Sequence, residues 1–434
     1  MKRAIFFLII LLVSVNSFDA RGEQVERREK GNLVIEGIPA IPQRIVDRMM
    51  QYQNTRSASL QGWEPAGKGI FISTRFGETS QIHYIEEPGG ARKQLTFFSE
   101  PVRGAAVCPD TSRHGFLFEK DVGGGEFYQI FYFDIDTGSY EMLTDGESRN
   151  GGAEWSNGGD RFAFYSTKRN GRDWDIYVSG IENPNDTKPV VEEGGFWFPG
   201  EWSPDDSQLL VARYVSANES YGYMLDLQSG ELNQIDPSKE KVSYGGACWA
   251  RDGKGIFYTS DEGSEFKLLR YYDLNKKKSN VLTKDIPWDV EDFATSAQGD
   301  KLAFTTNEDG IGKLYILDTA SLKYEWVPGI PVGQIYGLEP EPAGKRLALV
   351  INTPQTPGDV YVMDFDDYAL VRWTDSEVGG LDTHSFIVPE LIHYETFDKV
   401  DGKQRMIPAF YYKPGKGKAP YPVVINIHGG PEGQ

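Results

Sequence analysis

The chain has 434 residues, 39% of them hydrophobic and 13% aromatic, and a formal net charge of −19. That much apolar and aromatic mass builds packed cores and excludes a disordered chain. The charge is spread without a cluster of Lys or Arg, which excludes a phosphate-tracking surface and with it nucleic acid as a ligand.

At the amino terminus Lys2 and Arg3 precede an apolar run over residues 4–13, followed by Ser14, Val15, Asn16 and Ser17. This is the layout of a secretory signal, expected over residues 1–17 with cleavage after Ser17 or, second, after Ala20; the alternative is an uncleaved anchor. The run is short for a bilayer span, so no stable membrane insertion is expected once the signal is removed, and the protein is expected to be periplasmic or secreted. An extension over residues 18–56 follows. Within it residues 42–54 place Ile45, Val46, Met49 and Tyr52 at helical spacing behind Pro42, which predicts a short amphipathic helix docking on something other than the core of the next region.

From residue 57 to 381 the chain repeats itself. The unit Glu154-Trp155-Ser156-Asn157-Gly158-Gly159-Asp160 returns as Glu201-Trp202-Ser203-Pro204-Asp205-Asp206-Ser207. Its aromatic landmark recurs at Trp63, Val107, Trp155, Trp202, Trp249, Thr295 and Pro340, with spacings of 44, 48, 47, 47, 46 and 45 residues. A steady period in the forties predicts an all-β seven-bladed β-propeller. Each unit continues into an aromatic-rich strand ending at an Asp (Asp134, Asp226, Asp318, Asp364) and a closing strand marked by Gln94-Leu95-Thr96, Met142-Leu143-Thr144, Val281-Leu282-Thr283 and Arg372-Trp373-Thr374. Four antiparallel strands per blade follow, with the landmark Trp wedged between blades. Because every unit carries its strands in order, no strand is exchanged to close the ring, and the seam between the last and first blades is expected to rest on side chains. Cys108 and Cys248 stand beside landmark positions in distant blades, so buried free thiols are expected rather than a bridge.

After residue 381 the pattern changes. Residues 391–397 and 406–412 read as a hairpin across Asp401-Gly402, and residues 413–418 as a linker. Residues 423–427 are apolar on both pleat faces, as in a strand buried at the centre of a sheet, and run into His428-Gly429-Gly430-Pro431. A strand of this kind needs neighbours that residues 1–434 do not supply, so the sequence is expected to be the front part of a longer enzyme.

The repeats resemble the blades of TolB and prolyl oligopeptidase type propellers, with Trp202-Ser203-Pro204-Asp205 close to their Trp-Ser-Pro-Asp-Gly turn. Taken with the strand and His-Gly-Gly-Pro that follow, the chain resembles the amino-terminal part of the S9 serine peptidases, the prolyl oligopeptidase family that includes acylaminoacyl and dipeptidyl peptidases. The resemblance implies that residues 382–434 open a truncated α/β-hydrolase domain. It implies that His428, Gly429, Gly430 and Pro431 belong to an oxyanion loop, where bare main chain must approach the tetrahedral intermediate, and that the Ser, Asp and His of a triad lie beyond Gln434. The parent would hydrolyse short peptides admitted by the ring, and residues 1–434 alone would be inactive. Taken alone, His-Gly-Gly-Pro is also an ordinary glycine turn. The rival reading is a non-catalytic TolB-like periplasmic propeller that binds proteins.

Other candidates carry less. Gly146-Glu147-Ser148-Arg149-Asn150 ends in Asn and reads as a loop rather than a nucleophile elbow. His384 and His393 have no partners at metal-ligand spacing, so neither metal nor cofactor is expected. Glu86-Glu87 and Glu192-Glu193 could hold a peptide amino terminus but read as solvated turn carboxylates. Asn185 and Asn218 head glycosylation acceptor triplets.

Overall fold

The structure is a computed structural model that describes residues 25–400, 402–427 and 429. The signal segment and His428, Gly430 and Pro431 lie outside the described residues. The chain divides between Met50 and Gln51 into two compact units. Before that point Arg27–Lys30 and Leu33–Glu36 form an antiparallel hairpin around Gly31 and Asn32, with Gly31 at a φ of 58°. The hairpin joins the charged strand to the apolar Leu33, Val34 and Ile35. The expected helix is α1, Gln43–Gln53, whose first turn is capped by the Pro42 carbonyl accepting the Ile45 N–H at 2.8 Å. None of its residues is buried.

The repeats form seven sheets of four antiparallel strands, each built from consecutive strands. Blades 1 to 7 have inner strands Ser59–Trp63, Arg103–Val107, Asn150–Trp155, Phe196–Trp202, Tyr244–Trp249, Val290–Thr295 and Gln334–Pro340. Each inner strand touches the next and the last touches the first, so the seven surround a common axis. All seven landmarks thus end an inner strand. Every inner strand carries a register shift before its landmark, as between Gly151 and Glu154 or Pro199 and Trp202. A bulge of this kind turns the following side chains off the regular alternation.

The core lies between the blades. Seven buried clusters are found among the described residues, one for each interface, such as Ala163, Ile176, Trp197, Trp202 and Leu209 between blades 3 and 4. The landmark indoles join them as expected and also tie main chain to main chain. Trp63, Trp155, Trp202 and Trp249 each donate Nε1–H to the carbonyl just before the preceding blade's landmark, at Glu339, Ala106, Glu154 and Glu201, over 2.9–3.3 Å. The closing-strand threonines have an equally local purpose. Thr96, Thr144, Thr283 and Thr374 accept the N–H of Ile82, Ile130, Leu269 and Val360 at 2.9–3.0 Å, satisfying a donor that the third strand would otherwise bury.

The seam between blades 7 and 1 departs from expectation. No strand is exchanged, but the backbone does bridge it: Thr55–Arg56 pairs with Glu377–Val378, and the Ala58 N–H donates to the Gly358 carbonyl at 2.8 Å. Side chains complete the closure with a buried cluster that includes Trp63, Ile70, Ile72, Ile85, Val360 and Trp373. The segments entering and leaving the ring run side by side, which lets them form a two-residue ladder outside the blades.

Beyond the ring, Glu390–Val400 and Lys403–Tyr411 form the expected hairpin, with Gly402 at a φ of 76° in its turn. Residues 423–427 differ from expectation. They form no strand, and Val423, Val424, Ile425 and Ile427 are 79–91% exposed. Their apolar pattern suits a sheet interior, but no described residue offers them a ladder.

Candidate functional site

The axis of the ring gathers acidic side chains from the position just before the landmark. Glu154, Glu201 and Glu339 hold that place in blades 3, 4 and 7; Gly62, Ala106, Cys248 and Ala294 hold it in the others. Glu201 is occupied: it accepts the Trp249 N–H at 2.7 Å and pairs with Arg251 at 3.1 Å. Asp292 in blade 6 is likewise used by the Leu338 N–H at 3.1 Å. Glu154 and Glu339 are exposed instead. Although they stand in blades 3 and 7, the charge of Glu154 reaches Glu339.

The ring displaces much of the water that would hydrate these carboxylates, and this enclosure is the main reason that both are pushed up to about 7. Charge adds to it, from Glu201 on Glu154 and from Glu154 and Asp292 on Glu339, with Arg251 opposing the rise at Glu339. These two carboxyls therefore change their charge near neutrality. The linkage has a definite sign. Both carboxyls ordinarily titrate at 4.5, so the folded ring binds extra protons between pH 4.5 and 7 and loses stability as pH rises through that window. The double variant Glu154→Gln/Glu339→Gln should melt higher than the unmodified chain at pH 8 and match it at pH 4. An equal shift in thermal midpoint at both pH values would show that these carboxylates do not titrate in that window.

In the repeats Glu154 and Glu201 stand directly before the landmark Trp, which by itself marks the period. The signal was the repeated residue before the landmark.

The residues singled out in sequence fall elsewhere. Gly429 is exposed near the end of the described chain, and His428, Gly430 and Pro431 lie outside the described residues. Ser148 lies in the turn entering blade 3, where its hydroxyl donates to Asp145 at 2.7 Å. Among the described residues no histidine bonds a serine: His83 meets the Gln81 carbonyl, and His114, His384 and His393 meet Asp136, Asp382 and Asp309. No group of three His, Cys, Asp or Glu is placed to hold a metal ion among those residues. Glu86, Glu87, Glu192 and Glu193 are exposed, and Cys108 and Cys248 are free thiols.

The hairpin after the ring lies against the turns between the second and third strands of blades 6 and 7. His393 Nε2 reaches Asp309 Oδ2 at 3.2 Å, and the Gln355 amide donates to the Phe386 carbonyl at 3.2 Å. Phe410 packs so closely on Gly310 that a Cβ there would sit 2.7 Å from its ring. A cleft of about 670 Å³ opens beside this contact, lined in part by Pro331, Val332, Tyr361, Val388, Phe410 and Tyr412.

Solved structures share this fold. A structure from a study of two prolyl endopeptidases, concerned with inter-domain dynamics in their catalysis and specificity, superposes with a TM-score of 0.70 over 86% of this chain. This chain has the propeller fold of the prolyl oligopeptidases. Sequence identity in that comparison is 14%, and the match covers 57% of the other chain. Prolyl oligopeptidase B from Galerina marginata, bound to a 35mer hydrolysis and macrocyclization substrate, matches 85% of this chain at a TM-score of 0.67 and 12% identity. The same enzyme with a 25mer macrocyclization substrate gives 0.67 and 13%. This chain spans a little over half the length of these structures, 57% and 56%. An uncharacterized protein of Agrobacterium fabrum is 26% identical over 218 residues, 49% of this chain and 69% of that protein. No protein-family model matches the chain.

Proposed function

We propose that residues 25–429 are the propeller and first hairpin of an S9-type serine peptidase that hydrolyses short peptides, with the ring controlling access to the reaction. The observation that carries this reading is the combination of a prolyl oligopeptidase type ring with a carboxy-terminal hairpin packed back against its blade turns. The carboxyls of Glu154 and Glu339 on the inner strands support an access role, because charges beside low-dielectric walls act on an incoming ligand more strongly than charges in open water. The exposed apolar run at 423–427 supports a sheet partner of α/β-hydrolase type, with Gly429 and its neighbours in the oxyanion loop. Residues 1–434 lack a Gly-x-Ser-x-Gly elbow, so their own product should be inactive. Export follows from the basic and apolar residues 2–13.

One experiment tests these points together. Residues 1–434, expressed alone, should take no label from a fluorophosphonate probe. The natural protein, captured from its source with an antibody to the ring, should be labelled on a serine that residues 1–434 do not contain, and its first residue should be Phe18. Labelling of the 1–434 product would refute the inactivity. A captured protein without a reactive serine would leave the ring as a non-catalytic binding module.

A further inference from the structure

The seam between blades 7 and 1 contains the one histidine that is completely buried among the described residues. His83 has no exposed surface. It lies in the third strand of blade 1, Gln81–Ile85, directly across from Ile72 and two residues before Ile85. Both isoleucines belong to the seam cluster with Val360 and Trp373. By the alternation of the strand, His83 turns toward blade 7 as they do. The corresponding position in the other blades, third in the same strand register, is Phe131, Tyr177, Tyr223, Arg270, Tyr315 and Tyr361. An aromatic slot thus holds an imidazole only where the ring closes.

The hydrogen bonds define its protonation. Nδ1 lies 3.0 Å from the Gln81 carbonyl, which can only accept, so Nδ1 carries the proton of the neutral ring. Nε2 is buried without a partner. A second proton would place a charged N–H where nothing accepts it, with the Phe76 ring edge-on at 5.1 Å.

The cation nearest in influence is Arg92, and Arg92 is a clasp of the seam. Its Nη1 donates to the Arg56 carbonyl at 3.2 Å and the Thr74 hydroxyl at 3.3 Å on the blade 1 side. Its Nη2 donates to the Asp375 carbonyl at 2.9 Å and the Ser376 hydroxyl at 3.5 Å on the side leaving blade 7. All four acceptors are neutral. The carboxylates within reach of Arg92 are those of Asp359, Glu377 and Asp375. Asp359 and Asp375 already pair with Arg372 at 2.5 and 2.8 Å, and Glu377 with Arg56 at 2.8 Å. Arg56 in turn lies over the Phe76 ring that covers His83, at 5.3 Å. A charge on His83 would therefore join Arg92 and Arg56 on the blade 1 side of the seam, with each nearby carboxylate already engaged.

We propose that His83 makes closure of the ring dependent on pH: the neutral imidazole fills the seam as an aromatic residue does elsewhere, and its protonation at Nε2 drives blade 1 from blade 7. Burial lowers the His83 pKa below 6.5 and Arg92 pushes it the same way, against the Gln81 carbonyl bond. The folded seam thus resists protonation, and the unfolded or opened chain binds the extra proton. Closure is at full strength above pH 6.5 and weakens as pH falls below it.

Hydrogen exchange read by mass spectrometry tests this on residues 55–60 and 372–379, at pH 7.5 and 5.0, after correction for the intrinsic rate. In the unmodified chain these seam amides should open several-fold more at pH 5.0 than at pH 7.5, while amides of the blade 3 to blade 4 interface keep their protection. His83→Tyr, which installs the residue found in four other blades, should abolish the acid response. His83→Gln, also unable to titrate, gives a second reading if the larger ring is not accommodated. Seam protection equal at the two pH values, or acid loosening retained in the variants, overturns the proposal.

Discussion

Replacing Trp202 by alanine should lower the stability of the ring by about 4 kcal/mol, the range found when a fully packed large aromatic is removed and its cavity only partly collapses. Trp202 is 2% exposed and packs in the cluster between blades 3 and 4. Its indole N–H also bonds the Glu154 carbonyl across that interface at 3.1 Å, and the Arg161 guanidinium covers its ring at 4.9 Å. Truncation thus removes apolar contact, a cation–π contact and the donor for an inter-blade carbonyl together. Trp202→Phe should recover most of the packing without the N–H, and so fall between the two. Guanidinium unfolding followed by circular dichroism measures both. A loss below about 1 kcal/mol for Trp202→Ala would mean that the landmark does not bear on blade packing.

The second large effect is expected at Asp359, whose carboxylate is fully buried in blade 7. It accepts from Arg372 Nη2 at 2.5 Å and from the Thr374 hydroxyl at 2.6 Å, while that hydroxyl accepts the Val360 N–H. Asp359→Ala removes the acceptor for both donors. Breaking a buried pair costs about 3–5 kcal/mol, and Arg372 is partly exposed with Asp375 as a second partner, so about 3 kcal/mol is expected. Arg372→Ala should cost more than the alanine variant at Asp359 if the stranded carboxylate is the greater burden. The double variant then should cost less than the sum of the singles. Strict additivity in this cycle would contradict a direct coupling.

Much of the ring was legible because each blade buries the same slots. A Trp that must seal an interface, an Asp that ends the third strand and a Thr that meets the neighbouring strand's N–H recur wherever the local environment recurs, so a period of 44 to 48 residues shows in the sequence. The hairpin at Asp401-Gly402 was legible for the same local reason: its turn and its flanking alternation are neighbours in the chain. The seam ladder was not, since Thr55–Arg56 and Glu377–Val378 are brought together only by closure of the ring. Residues 423–427 show the converse. Their apolar pattern is plain, but a strand exists only with a partner, and no described residue pairs with them.

The amino-acid sequence by itself determined the number of blades, the order of their strands and the residues between them, because those depend on contacts that repeat at fixed separation. Tertiary structure alone decided which singular residues meet. The charge of Glu154 reaches Glu339 although nearly half the chain separates them, and His83 lies at a seam because blade 1 happens to border blade 7. Closing a ring converts distance along the chain into proximity across it, and no periodicity encodes the charges that this brings within reach of one another.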